Sequence, residues 1–127
     1  RTSPRKQRRQ RLEFTVPLKM NYDFRRAYRR GRSAAEPCLV VYARRNNTAE
    51  NRVGFTVSAK LGHAVVRNRV RRRLREIYRL NEHLFRPGFD IVVVARHRSV
   101  SAEYRRLERE FLRACAGLAL IKEAHTS

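Results

Sequence analysis

The stretch 60–79, KLGHAVVRNRVRRRLREIYR, carries Lys60, Arg67, Arg69, Arg71, Arg72, Arg73, Arg75 and Arg79 against a single acid, Glu76. Guanidinium groups present planar forks of donors that match phosphate oxygens, so this density of arginine is phosphate-binding chemistry. A solvated face is the plain alternative, and a helix of mixed charge would satisfy it. Here the charges are nearly all of one sign. Arg67, Arg71 and Arg75 recur at i,i+4, where like charges repel and oppose the helix that holds them. A polyanionic partner relieves that repulsion; water only weakens it.

Hydrolytic chemistry by the chain itself has little to work with. A protein nuclease needs carboxylates gathered around metal ions, or histidines placed for acid–base work. The two aspartates, Asp23 and Asp90, stand far apart in the chain, and the nine glutamates are scattered. Glu103, Glu108 and Glu110 share one segment without forming a facing set, and lone carboxylates of this kind read as solvated partners for arginine. His63, His83, His97 and His125 have no ligand or triad spacing and read as surface or turn residues. Cys38 and Cys115 match no metal or redox spacing and suit small core positions in a reducing cytoplasm. No Gly-rich phosphate loop is present. The expectation is a chain with no catalytic and no metal-ligating residues of its own.

Composition points the same way. The 127 residues suit one domain, and 42% are hydrophobic, enough for a core. The formal net charge of +20 is the footprint of a nucleic-acid binder, with a membrane surface as the other polyanion to weigh. No long apolar run or signal-peptide pattern occurs. Only Lys6, Lys19, Lys60 and Lys122 are lysines, which leaves 27 of the 31 basic residues as arginine. That bias suits RNA, where arginine both grips phosphate and stacks on bases. A genome rich in arginine codons would also produce it.

The elements that must position these residues follow from periodicity. Behind Gly62, the residues Val66, Val70, Leu74, Ile77, Tyr78 and Asn81 fall on one helical stripe. Asn68, Arg71, Arg72, Arg75 and Arg79 flank it on one side, Arg69 and Arg73 on the other. Asn21 to Gly31 predicts a short helix, with Asn21 as N-cap and Gly31 as its stop. Phe24, Ala27 and Tyr28 share its inner face amid arginines. Core packing explains the two rings most simply, and faces partly open to bases are the other reading.

Pro37 to Arg44 predicts a strand and residues 45–51 a polar hairpin loop. Arg52 to Lys60 alternates, with Val53, Phe55, Val57 and Ala59 on the apolar side and Arg52, Gly54, Thr56, Ser58 and Lys60 on a polar side offered for binding. Phe89 to Ala95 predicts a central strand. Ser101 predicts the cap of a last helix buried through Tyr104, Leu107, Phe111, Cys115 and Leu118. The order is α-β-β-α-β-α, an α+β sandwich with a small central sheet. Residues 1–17 are expected to be a basic disordered extension, 18–120 the single RNA-binding domain, and 121–127 a frayed tail.

Residues 52–76, RVGFTVSAKLGHAVVRNRVRRRLRE, resemble the signature of the protein subunit of bacterial ribonuclease P. The Arg67-Asn68-Arg69 triplet with Arg71, Arg72 and Arg75 is similar to that family's RNR motif, and R-V-G-x-x-V-S-x-K-x-G to the strand before it. Asp23-Phe24, Tyr28, Gly31 and Val41-Tyr42 extend the likeness, which spans residues 18–115. Two departures stand out: Tyr28 replaces a more common Phe, and the basic extension before Leu18 is longer than usual.

The resemblance implies the same element order and a left-handed crossover between the last two strands, against the usual handedness. It implies binding of ribonuclease P catalytic RNA through Lys60, Arg67, Asn68, Arg69, Arg71, Arg72 and Arg75. It implies that the 5′ leader of precursor tRNA lies against Phe24, Tyr28, Tyr42, Asn68, Arg72 and Arg75 in one cleft. The reaction is then Mg2+-dependent hydrolysis of a phosphodiester bond at the tRNA 5′ end, with Mg2+ held mainly by the RNA partner and substrate. Two rivals stand beside it. A non-catalytic ribosomal or chaperone-like RNA-binding protein need not carry the RNR-plus-strand signature. A DNA-binding regulator would mix Asn, Gln, Ser and Thr into its reading helix.

Overall fold

The structure, a computed structural model, describes residues 15–18 and 21–122. Strand β1 is Thr15–Pro17, helix α1 Asn21–Arg30, β2 Arg32–Ala35, β3 Leu39–Arg45, β4 Asn51–Thr56, α2 Ala64–Asn81, β5 Phe89–Ala95 and α3 Tyr104–Gly117. Single 3-10 turns lie at Ala59–Leu61, Glu82–Leu84 and His97–Val100. The expected α+β order is present, with β1 and β2 added as short edge strands that it lacked. β2 reads Arg-Ser-Ala-Ala, so neither apolar run nor alternation marked it.

The five strands lie in the order β1-β4-β5-β3-β2. β5 sits at the centre because its residues from Phe89 to Val93 are all buried, a run that needs cover on both faces and a neighbour on each edge. It pairs parallel to β4 and antiparallel to β3. Residues 45–51 are therefore not the hairpin loop expected from their polarity: β5 separates β3 from β4, and the loop spans that gap. α2 supplies the crossover that two parallel neighbours require.

The pleat divides the sheet into two unlike faces. Leu39, Val41, Ala43, Val53, Ile91, Val93 and Ala95 point to the larger core, where α2 adds Val70, Leu74, Ile77 and Tyr78 and α3 adds Leu107, Phe111, Ala114 and Cys115. The opposite face carries a smaller cluster of Leu18, Ala27 and Val92, with Phe24, Tyr42 and Val94 against it. α1 thus covers one face, and α2 with α3 the other.

Several boundaries move. β4 ends at Thr56 rather than Lys60, because Ser58 caps the next 3-10 turn by accepting from the Lys60 N–H. β3 starts at Leu39, since the Glu36 N–H bonds back to the Leu39 carbonyl and leaves Pro37 in a turn. Ser101 is not the cap of the last helix: Glu103 holds the N-cap position, without a side-chain cap bond. Thr15–Pro17, expected within the disordered extension, pair with β4, and Thr15 Oγ1 lies 2.7 Å from the Tyr78 hydroxyl. Burial drives the Tyr78 phenol up to about 12 despite that bond. At the other end Ile121 bridges Phe85, and the Lys122 N–H bonds the Leu84 carbonyl, so residues 121 and 122 are not frayed. Residues 1–14 and 123–127, the rest of the expected extension and tail, lie outside the described residues.

Glu110 is no solvated partner. It is 2% exposed, accepts from the Cys38 N–H at 2.7 Å and meets Arg106 Nε at 2.8 Å. Burial works to raise its pKa, but the bonds from Arg106 and Cys38 prevail and hold the carboxyl below its ordinary range. A depressed folded value gives stabilisation that is complete above the unfolded value of about 4.3 and is lost as pH falls through the folded one. Glu110→Ala should cost about 1–3 kcal/mol at neutral pH, because the Cys38 N–H is left unbonded in the interior. Glu110→Gln should flatten the decline of the urea midpoint below pH 5. A decline as steep as that of the parent would remove Glu110 from the acid response.

A second test concerns Gly54, which is buried beneath α1. A Cβ there would lie 2.5 Å from Phe24 Cζ and 3.3 Å from Leu18 Cβ. Gly54→Ala should therefore push the Phe24 ring aside and lower stability by about 1–3 kcal/mol. Adding Phe24→Leu should recover part of that loss in a double-mutant cycle, and strict additivity would contradict the contact.

Candidate nucleic-acid interface

α2 positions the arginines by burying its stripe. Val70, Leu74, Ile77 and Tyr78 are at most 1% exposed, and Val66 and Asn81 are half-buried at its ends. Asn81 Nδ2 donates to the Ile77 carbonyl and to Glu108 Oε2 on α3. With that stripe anchored, the two arginine flanks face different surroundings.

On one flank Arg69 and Arg73 turn toward the segment before α3. Arg69 donates to the Val100 carbonyl at 3.3 Å and Arg73 to the Ala102 carbonyl at 3.0 Å. Arg73, half-buried, is a structural strap. On the other flank Asn68, Arg71, Arg72, Arg75, Glu76 and Arg79 line a concavity of about 200 Å³. Arg71 donates to Asn68 Oδ1 at 3.0 Å, so Asn68 orients a guanidinium at the rim. Glu76, the one acid, is taken by both donors of Arg79 at 3.1 and 2.8 Å. Arg72 and Lys60 are exposed, and Arg67 Nε donates to the Gly62 carbonyl. This surface can hold several phosphates.

The aromatic residues form a second group on the α1 face. Tyr28 and Tyr42 meet edge to face with ring centroids 4.9 Å apart, and the Tyr28 hydroxyl lies 3.1 Å from Thr56 Oγ1. Tyr28 remains 38% exposed. Phe24 differs: its ring rests on Gly54 and belongs to the small core, the packing role rather than an open face. The six residues implied for the leader cleft thus fall into two groups. Phe24, Tyr28 and Tyr42 lie on one face of the sheet, while Asn68, Arg72 and Arg75 ride on a helix packed against the other.

The polar side of β4, offered by its alternation as a binding surface, is largely occupied. Gly54 lies under Phe24, and Arg52 is drawn inward. Arg52 Nε and Nη2 each donate to a separate oxygen of Asp90 at 2.7 Å, and Nη2 lies 3.5 Å from Asp23 Oδ1. The hydrogen bond to Asp90 raises the Arg52 pKa. Asp23 and Asp90, distant in sequence, are thus brought to one guanidinium. Thr56, placed by the sequence on the polar side of β4, is the residue of that side that meets Tyr28. Among the described residues no group of three or more His, Cys, Asp or Glu side chains could hold a metal ion. No described helix is long and apolar enough to cross a membrane.

Known proteins share this sequence and fold. The ribonuclease P family model matches residues 12–119. The chain is 46% identical over 98 residues to the ribonuclease P protein component of Natranaerobius thermophilus, across 77% of this chain and 85% of that one. It is 44% identical over 110 residues to the component from Alkaliphilus metalliredigens, across 87% of this chain and 99% of the relative. The solved ribonuclease P protein of Staphylococcus aureus superposes with a TM-score of 0.77 at 30% identity, covering 84% of this chain and 98% of its own. That of Thermotoga maritima gives 0.71 at 31% identity, covering 76% and 92%. By sequence and by fold alike, the chain belongs to the ribonuclease P protein family.

Proposed function

We propose that the chain is the protein subunit of a cytoplasmic ribonuclease P ribonucleoprotein that removes the 5′ leader from precursor tRNA. α2 binds the catalytic RNA through Lys60, Arg67, Asn68, Arg69, Arg71, Arg72 and Arg75. Single-stranded leader meets the Tyr28–Tyr42 pair on the opposite face of the sheet, while Arg72 and Arg75 stay with the RNA bound on α2. The observation that carries this reading is the flank of Asn68, Arg71, Arg72 and Arg75 around one concavity, inside the segment that the family model matches.

Mg2+ would be held by RNA and substrate phosphates, where it would supply a nucleophilic water and offset charge on the leaving oxygen. The acidic side chains of this chain support that division. Asp23 and Asp90 serve Arg52, Glu110 serves Arg106 and Glu76 serves Arg79. The chain's own contribution is to offset phosphate repulsion and hold the leader in place.

Salt dependence tests the flank. Each phosphate neutralised on RNA adds roughly 0.7–0.9 to the log–log slope, so Arg71→Ala with Arg72→Ala should flatten it by about 1.4–1.8. Arg73→Ala should lower the melting temperature and leave the slope nearly unchanged. Equal slopes for parent and double variant would remove α2 from the RNA surface.

Leader recognition is tested at Tyr28. Stacking is worth ~1–3 kcal/mol per base, so Tyr28→Ala in the assembled particle should weaken precursor tRNA about ten- to a hundredfold and spare mature tRNA. Tyr28→Phe keeps the ring and should bind nearly as the parent does. Phe24→Ala should lower the melting temperature and weaken both ligands together. Equal loss of precursor and mature tRNA in Tyr28→Ala would reject the cleft.

A further inference from the structure

On the outer face of α1 only Tyr28 has a packing role among the described residues, through Tyr42 and Thr56. Around the helix, at ~100° per residue, Tyr28, Arg25, Arg29 and Tyr22 follow one another in that order, opposite the buried Asp23 and Ala27. Tyr22 is 50% exposed and Tyr28 38%. The side chains of Arg25, Arg29 and Arg30 make no hydrogen bond or ion pair among the described residues. Arg26 lies over the Tyr22 ring, its guanidinium carbon 5.2 Å from the centroid, and Tyr22 keeps half its surface exposed.

This arrangement is unfavourable for the free protein. Arg25 with Arg29, and Arg26 with Arg30, are like-charged pairs at i,i+4 on a helix of ten residues. The only acid on the helix, Asp23, is turned inward to Arg52. Two aromatic rings with arginines between them fit unpaired bases joined by phosphates, because every base offers a π-face and each phosphate a charge. A duplex keeps its bases stacked within itself and would leave the tyrosines unused.

We infer that α1 carries a track for single-stranded RNA that begins at Tyr28, crosses Arg25 and Arg29, and ends on the exposed ring of Tyr22. The two rings are six positions apart on the helix, ~9 Å along its axis, a span that a few nucleotides cover. The inference rests on the reading that the leader enters at Tyr28, and it sets how much leader the protein holds. Nucleotides past the Tyr28–Tyr42 pair lie over the arginines instead of returning to solvent.

The test uses the chain assembled with its catalytic RNA, so that α2 is occupied. Precursor tRNAs with unstructured leaders of about four and about ten nucleotides are compared with mature tRNA. With the parent protein the longer leader should bind more tightly, with a salt slope steeper by about 1.4 for two phosphates on a single strand. Arg25→Ala with Arg29→Ala should abolish that gain and leave the short leader unchanged, while the paired lysine substitutions should restore it. Tyr22→Ala should remove about five- to a hundredfold from the long-leader affinity alone. Retention of the gain by the arginine double variant would overturn the track. So would equal weakening of all three RNAs, which would assign this face to the catalytic RNA, or an equal gain for a leader annealed to its complement. If Tyr28→Ala fails to separate precursor from mature tRNA while the long-leader gain persists in the parent, the entry at Tyr28 is wrong and the length dependence still judges Arg25 and Arg29.

Discussion

One guanidinium holds the interface together. Asp90 has no exposure at all, and a carboxylate buried without a partner would cost several kcal/mol. Arg52 grips both its oxygens from the neighbouring strand, Asn46 adds a third donor, and Arg44 stands at 3.7 Å. The same Arg52 reaches Asp23, the buried acid of α1. A helix of ten residues is too short to persist on its own in water, so α1 exists because the sheet holds it. Arg52 supplies the polar half of that hold and Phe24 on Gly54 the apolar half. With Ala27 buried against the sheet beside Leu18 and Val92, these contacts position Tyr28 and the other rings and charges that α1 presents.

The arginines are therefore not equivalent, although the sequence prints them alike. Arg52 joins three elements, Arg73 straps the segment before α3, and Arg106 neutralises a buried glutamate. Arg32 donates to the Leu118 carbonyl across the molecule. Removing any of these would read as a loss of folding. Arg71 and Arg72 on α2, and Arg25 and Arg29 on α1, lie outside the core and can turn to a partner. Close approach draws the same line for glycine. At Gly31 a Cβ would meet the carbonyl oxygens of Ala27 and Ala43 at 2.5 and 2.7 Å, so the end of α1 needs glycine for space.

What the sequence disclosed follows from which forces leave a periodic trace. The stripe of α2 and the run of β5 were legible, because burial of one face or of both imposes a period that composition cannot hide. β2 was not, since a short edge strand of small exposed residues is specified by its neighbour β3 rather than by its own side chains. The hairpin expected at 45–51 failed because strand order is set by long-range pairing with β5, which no local pattern records. The motif around Arg67-Asn68-Arg69 announced the family, and the arginine density of α2 announced a one-signed surface. The division of the expected cleft residues between two faces was not readable, since it depends on which side of the sheet each helix covers. The inward turn of Arg52, Asp23 and Glu110 was hidden for a related reason: charged side chains carry no mark of burial until their partners, far along the chain, are known.

The net charge of +20 closes the argument. Such a charge opposes compaction, and the arginines that touch no carboxylate add to that opposition. A ligand that binds the folded form alone shifts the folding equilibrium toward it by mass action. On the proposed function that ligand is a polyanion, and the residues that destabilise the free protein are those that would gain most from it. Selection for an autonomous stable domain would replace Arg25, Arg29 or Arg72 with neutral or acidic residues, at no cost to the core. Their presence on two helices, against opposite faces of one sheet, is what the proposed function requires of a protein that meets RNA on both sides. Its fold is anchored by the few carboxylates it keeps, and its surface is left for phosphates to complete.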